Sequence, residues 1–311
     1  MRVLVTGVSG FVGQHLARAL LARGHEVSGT HLDETFEVPG VESVFVDLGA
    51  GGAAVAGALR DAVTRFRPQR IVHLAGLAHV GKSWQEIPAY FRINVLGTEA
   101  VLDAAQGAPV LLASSAEVYG VVPEGEQPIA EDRPAAPVSP YALTKAAAER
   151  LVLGRGGTVV RPFNMTGPGQ SPRFALPAFA RQLAGIEAGR QPPVLAVGNL
   201  EARRDFVHVA DGAEAMALLV EAGAPGGGVY NVASGRASSI REALDLLLAV
   251  SGLEVEIALD ERYLRPADIA VLRGSAGPLQ RLGWVPRRTL ADAVAELWRW
   301  SRECVAAEAA P

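Results

Sequence analysis

Four residues near the middle of the chain have the types and spacing for proton chemistry. Y-A-L-T-K places Tyr141 and Lys145 four positions apart, so on a helix both side chains project from one face. An ammonium beside a phenol favours the phenolate and draws the phenol toward the working range of a general acid–base, and the same ammonium can hold ribose hydroxyls. Upstream, S-S-A-E-V-Y-G closes the apolar run V-L-L-A and sets Ser115 and Glu117 two residues apart. With Tyr141 and Lys145 in place, Ser115 is the group to bond a substrate oxygen. Glu117 has two readings, a base that takes a proton from substrate or a residue that fixes the turn, and the sequence leaves both open.

These residues need a rigid frame, and the pattern around them supplies one. Short runs rich in Val, Ile and Leu recur at 2–6, 25–30, 43–47, 70–74, 110–114 and 158–162. Their hydrophobicity is continuous rather than alternating, so both strand faces are covered. Helical patterns at 11–23, 52–66, 84–105 and 141–153 provide the cover. This is α/β, a doubly wound parallel sheet. Beyond Phe163 the chain loosens into Pro- and Gly-rich loops with helices at 175–188, 210–221, 238–250 and 289–302. The expected division is 1–163 for the sheet domain and 164–311 for a smaller C-terminal substrate-binding lobe, with some elements returning to the first domain.

Between the first strand and first helix, V-T-G-V-S-G-F-V-G carries Gly7, Gly10, Phe11, Val12 and Gly13. Glycines there let the backbone turn tightly and bring N–H groups to a pyrophosphate at the helix N-terminus. Asp47 at the end of the third strand with Leu48 next to it, and Leu74, Ala75 and Gly76 after the fourth, sit where such a sheet meets the rest of a dinucleotide. The second strand places His31 where an NAD-reading carboxylate is expected, with Asp33 two residues on. A carboxylate there would repel the extra phosphate of NADP, so its absence favours NADP(H), and NAD(H) stays open.

The chain of 311 residues carries a net charge of −4 and no basic stripe, which argues against nucleic acid as a partner. An anionic ligand must therefore be met by a few placed arginines. No apolar stretch reaches membrane-span length, and the lone Cys304 fits a reducing compartment, so a cytoplasmic protein is expected, with no membrane partner and no metal.

Several motifs in order now carry a resemblance: T-G-V-S-G-F-V-G, H-L-A-G, N-V-L-G-T, S-S-A-E-V-Y-G, S-P-Y-A-L-T-K, R-P-F-N, R-D-F-V-H-V-A-D, Y-N-V-A-S-G and L-R-P-A-D. From Arg2 to about Trp300 the chain is similar to the extended short-chain dehydrogenase/reductases of the NAD(P)-dependent nucleotide-sugar epimerase/dehydratase group, and within it to the GDP-sugar branch. The resemblance implies a Rossmann-like fold, a catalytic set of Ser115, Tyr141 and Lys145, and support from Asn94. It implies that Pro162 in R-P-F-N lies at the cofactor, and that Asn164, Arg204, Arg265 and Asp268 meet a nucleotide-diphosphate sugar, where a guanidinium fork suits the diphosphate. His79, with Lys82, falls on a loop facing the substrate in this group, or else faces solvent.

Within the group the resemblance leaves several activities. Reduction at C4 of a nucleotide-linked 4-keto-6-deoxy sugar of the GDP-4-dehydro-6-deoxymannose type is favoured. A GDP-mannose 4,6-dehydratase, and a 4-epimerase or decarboxylase, stay open, as does a cofactor-binding regulator without chemistry. Dehydratases of the group read hydroxyl, then Asp or Ser, then Glu at this strand end; here Ala116 replaces the middle group. The family pairs the helix after the fourth strand with the Tyr-bearing helix in a homodimer. In this chain both helices are trimmed, by L-V-L-G-R-G-G and by the short run Ala105 to Ala108.

Overall fold

Arg2–Thr6 forms β1, whose Val3 and Val5 enter one core while Leu4 enters the other. That alternation explains its continuous hydrophobicity, since both faces are dry. The computed structural model describes residues 1–32, 38–223, 227–263 and 269–308; Asp33, Arg265 and Asp268 lie outside them.

The chain runs from β1 through α1 (Phe11–Ala22), β2 (Glu26–His31), β3 (Glu42–Phe45), α2 (Gly52–Phe66) and β4 (Arg70–His73). Next come α3 (Val80–Ser83), α4 (Ile87–Tyr90), a π-helical segment (Phe91–Leu96) and α5 (Gly97–Ala104). Then follow β5 (Val110–Ala113), α6 (Pro140–Gly154), β6 (Thr158–Pro162), β7 (Asn164–Thr166), α7 (Ala175–Glu187), β8 (Val194–Val197) and β9 (Arg203–His208). The remainder is α8 (Val209–Ala222), β10 (Gly228–Val232), β11 (Ala237–Ser239), α9 (Ile240–Ser251), β12 (Glu256–Leu259), β13 (Val271–Leu272), α10 (Gly277–Arg281) and α11 (Leu290–Ala307).

Seven strands pair in the order β10-β6-β5-β4-β1-β2-β3, all parallel. Strand order reverses at β1 and β4, so a crevice opens beyond their carboxyl ends, where ligands bind in such sheets. One core packs α1 and α8 on the sheet, the other α2, α5 and α6. A third cluster, from α7, α9, α11 and β8, belongs to the C-terminal part. From there β10 returns to the main sheet beside β6, while β11, β13 and β7 all pair with β9.

The continuous helix expected over 84–105 is broken. Pro88 starts a fresh helix, its missing N–H costing nothing in a first turn. The π-helical widening then carries Asn94 inward to partners from two other segments. Asp47 also lies two residues past the end of β3. Among the described residues no helix is long and apolar enough to cross a membrane, and no cluster of His, Cys, Asp and Glu could hold a metal ion.

Candidate active site

Ser139 starts α6 by accepting from the Ala142 N–H at 3.2 Å, and Pro140 occupies the first turn. Tyr141 and Lys145 then share the buried face of α6. Lys145 Nζ donates to the Ala113 carbonyl at the end of β5, at 2.7 Å. The Ser115 side chain lies close enough to the Tyr141 phenol to favour its ionisation. Ser115 itself accepts from the Glu117 N–H at 3.2 Å and so caps the short 3-10 turn Ala116–Tyr119. Ser115, Tyr141, Lys145 and Glu117 are thus brought together.

The electrostatics differ from the expected lysine-assisted phenolate. Burial raises the Tyr141 pKa well above the ordinary phenol value; the Ser115 side chain opposes this, and the charges of Glu117 and Tyr90 add to it. Burial also lowers Lys145 to about 8, against the upward pull of Glu149. One of the three ammonium donors goes to the Ala113 carbonyl, and desolvation governs the phenol. At neutral pH Tyr141 keeps its proton, which suits it to donate one.

Asn94 ties this helix to the loop after β4. Its Oδ1 accepts from the Leu77 N–H at 2.8 Å, and its Nδ2 donates to the Leu77 carbonyl at 3.1 Å and to Thr144 Oγ1 at 3.0 Å. A Cβ on Gly76 would sit 2.9 Å from Asn94 Oδ1 and 3.6 Å from Lys145 Nζ. Asn94 therefore leaves no room for a side chain here, whereas the contact with the lysine would be an ordinary one.

The glycine turn has the shape of a pyrophosphate cradle. Gly7 has φ +70 and packs on Ala75, where a Cβ would approach backbone atoms to 2.9 Å. A Cβ on Gly13 would meet the Gly7 carbonyl at 2.3 Å. Gly10 caps α1 with no side chain on the first N–H groups, followed by half-buried Phe11 and Val12. These contacts fit a dinucleotide laid across the crevice. Leu48 is buried against Gly97, Asp47 accepts from the Gly49 N–H at 2.8 Å, and Leu74 and Ala75 are half-buried beside the turn. His31 Nδ1 lies 2.8 Å from Ser43 Oγ, its ring edge-on to Phe45. Pro162 is buried at the end of β6, beside Val232.

On the substrate side, Asn164 opens β7 opposite Phe206. Arg204 is buried, with Nη1 donating to the carbonyls of Arg203 at 3.0 Å and Ile269 at 2.6 Å. His79 is a structural cap in this structure. Its Nδ1 accepts from the Lys82 N–H at 3.0 Å, and its Nε2 then donates to the Arg173 carbonyl at 3.1 Å. Sequence reasoning missed Tyr90, which packs on Tyr141, and the buried Glu149 and Arg161. The signal for Glu149 was available: it continues the four-residue spacing of Tyr141 and Lys145, putting a carboxylate on an apolar face.

A parallel sheet with a glycine cradle at its reversal point, and Ser, Tyr and Lys at the end of β5 and start of α6, define an extended short-chain dehydrogenase/reductase. The chain belongs to the GDP-mannose 4,6 dehydratase family, whose sequence model matches residues 4–297. The GDP-6-deoxy-D-mannose reductase of Pseudomonas aeruginosa is 36% identical over 304 residues, covering 93% of each chain. The dTDP-6-deoxy-L-talose 4-dehydrogenase (NAD(P)(+)) of Kitasatospora kifunensis is 35% identical, covering 96% of this chain and 94% of its own. Among solved structures, RMD from Pseudomonas aeruginosa complexed with NADPH superposes with a TM-score of 0.83 at 34% identity, over 97% of this chain and 99% of that one. The Thermus thermophilus UDP-glucose 4-epimerase complex with NAD gives 0.85 at 32%, with the same coverage.

Proposed function

We propose that this chain reduces the C4 ketone of a GDP-linked 4-keto-6-deoxy sugar, with NADPH as the favoured reductant. The observation that carries the reading is the juxtaposition of the buried Tyr141 and Lys145 on one face of α6 with Ser115 beside the phenol. Bound reduced nicotinamide supplies a hydride to carbon. Tyr141 supplies the proton for the new hydroxyl, Ser115 orients the C4 oxygen, and Lys145 holds ribose hydroxyls. Residues 1–163 carry the cofactor in this reading and 164–311 mainly the sugar, with Asn164, Arg204, Arg265 and Asp268 toward the nucleotide diphosphate. The reductase and NADPH-bound relatives support it. So does Ala116, a buried methyl where an elimination wants a second proton-handling group.

Elimination has one observation in its favour, the carboxylate of Glu117 close enough to act on the Tyr141 ionisation. The test separates the two. Given GDP-4-dehydro-6-deoxymannose, the enzyme consumes NADPH, or NADH more weakly; a dehydratase converts GDP-mannose with no net change in cofactor.

A homodimer through α5 and α6 is part of the proposal. Leu96, Leu143, Phe91, Ile87 and Trp84 are exposed apolar side chains along α3 to α6. Arg155 braces the two trimmed helices by pairing with Asp103 at 2.6 Å and Glu99 at 3.0 Å. Light scattering returning only monomer at working concentration contradicts this. The single Cys304 supports a cytoplasmic setting.

A further inference from the structure

Three consecutive residues at the end of β5 each meet the same face of α6. Ala113 accepts from Lys145 Nζ, Ser114 Oγ donates to Glu149 Oε1 at 2.5 Å, and Ser115 lies close enough to Tyr141 to act on its ionisation. Tyr141, Lys145 and Glu149 are successive four-residue steps along that helix. Strand end and helix are therefore tied by two hydrogen bonds, one to a reacting group, Lys145, and one to Glu149, which has no assigned role.

Glu149 is held from behind as well. Arg161 on β6 grips it in two parallel bonds, Nε to Oε1 at 2.9 Å and Nη2 to Oε2 at 2.7 Å. The guanidinium lies 4.6 Å over the Tyr119 ring, and the Tyr119 hydroxyl donates to Asn231 Oδ1 on β10 at 2.7 Å. Glu149 and Arg161 are 3% and 6% exposed, and Arg161 Nη1 is buried with no hydrogen-bond partner among the described residues. Burying such a pair carries a desolvation penalty that its own attraction need not repay, and apolar side chains would pack β6 on α6 as well. Its place beside the reacting groups points to another use.

We propose that Glu149, clamped by Arg161, is a positioning residue of the catalytic centre: it holds the Ser114–Ser115 strand end in register with Tyr141 and supplies the buried anion that keeps Lys145 charged. The proposal rests on the reading of Tyr141 and Lys145 as the reacting pair. The groups around the lysine are consistent with it. From α6 come Tyr141 and Glu149; from β4, His73, held neutral by burial; from β6, Arg161. Glu117 and Tyr90 act on the neighbouring Tyr141. Of these, Glu149 is the one whose charge pulls Lys145 upward against burial.

The sequence offers a direct test, because Lys82 and Lys145 are the chain's two lysines. Protein labelled with [ε-13C]lysine gives two resonances, and Lys82, its side chain 44% exposed, is the internal reference. Burial lowers Lys145 to about 8, so its resonance is expected to titrate well below that of an ordinary lysine in the wild type. In Glu149→Gln its midpoint falls by about 1 pH unit while Lys82 holds still, as removal of a near opposite charge requires. Turnover falls about 10- to 100-fold with KM for NADPH within about 3-fold, the pattern of lost alignment rather than lost binding. Glu149→Gln/Arg161→Gln removes both charges and leaves two amides to bond each other, so a folded variant is available, and its Lys145 midpoint also falls. A Lys145 midpoint that stays at the wild-type value in either folded variant overturns the proposal. The titration needs no sugar, so failure of the wild type to reduce a 4-keto sugar sinks the functional reading and leaves this result standing.

Discussion

Tyr90 meets Tyr141 edge to face, with ring centroids 6.4 Å apart and planes at 85°. The two phenols are in contact and both buried, yet their hydroxyls are committed differently. Tyr90 donates to the His79 carbonyl at 2.5 Å, and burial pushes it up to about 12. The Tyr141 phenol instead neighbours the Ser115 side chain, which eases its ionisation. Tyr90 therefore acts as a wall that fixes the Tyr141 ring, and its own proton is out of reach of substrate.

That division separates two otherwise similar substitutions. Tyr141→Phe removes the proton donor and lowers kcat by about 10²- to 10⁴-fold, with NADPH binding little changed. Tyr90→Phe loses one hydrogen bond worth about 1 kcal/mol and keeps turnover within about 10-fold of wild type, because the ring contact survives. Steady-state kinetics with thermal unfolding distinguish them; equal losses of turnover would remove the distinction between donor and wall.

The parts of this architecture legible in the sequence were those with a local cause. Continuous apolar runs marked β1, β2, β4, β5 and β6 to within a residue or so, because burial on both faces leaves that pattern and little else does. The glycine turn was legible because Gly7 and Gly13 each fill a place where a Cβ collides. What escaped was set by distant partners. Asn94 is turned inward by Leu77 and by Thr144, which lies 50 residues on, and nothing in F-R-I-N-V-L announces that bend. His79 was open between sugar contact and surface loop, and it caps α3 because the Arg173 carbonyl arrives from far along the chain. The phenol ionisation was misjudged for the same reason: spacing shows which residues share a face, whereas burial is a property of the packed whole.

The glycines of the cradle predict two kinds of failure. A Cβ on Gly13 meets the Gly7 carbonyl at 2.3 Å, so Gly13→Ala distorts the turn itself and lowers the unfolding temperature. A Cβ on Gly10 meets that carbonyl at 3.2 Å, where a shift of a few tenths of an ångström suffices, and Gly10 stands at the open N-terminus of α1. Gly10→Ala is expected to keep the unfolding temperature and weaken NADPH at least about 10-fold by crowding the pyrophosphate, a loss of some 1.4 kcal/mol. Cofactor titration and calorimetry on both variants check this, and tight NADPH binding by Gly10→Ala would place the pyrophosphate elsewhere.

Acid sensitivity follows from His73, buried beneath the crevice. Thr98 Oγ1 donates to the Asn94 carbonyl at 2.6 Å, so it accepts from His73 Nε2 at 3.1 Å, and His73 Nδ1 accepts from Thr6 at 2.6 Å. The ring is neutral with both nitrogens satisfied. Burial, then the charge of Lys145, lowers its pKa to about 3 from the ordinary 6.5. As pH falls below 6.5 the unfolded chain takes up a proton that the folded chain refuses until about 3. Stability is therefore lost over that window, by up to about 1.4 kcal/mol per pH unit from this group. His73→Gln is expected to be less stable at neutral pH and to lose less on moving to about pH 5. Urea unfolding at the two pH values measures it, and an unchanged acid loss would assign the sensitivity to other groups.

Glu117 separates reduction from elimination. Its backbone N–H and carbonyl hold the turn, bonding Ser115 Oγ at 3.2 Å and the Gly120 N–H at 3.1 Å, and a Gln at 117 keeps both bonds. The side chain's charge helps keep Tyr141 protonated. Its removal shifts the phenol pKa downward, though burial still holds it high. For a reductase, Glu117→Gln therefore changes turnover by less than about 10-fold, since Tyr141 still delivers its proton to the C4 oxygen. For a dehydratase, loss of the base at C5 costs about 10²- to 10⁴-fold. The reductase assignment commits to the smaller effect, measured with the 4-keto sugar and NADPH, and collapse of turnover in this variant would make Glu117 a proton-abstracting base.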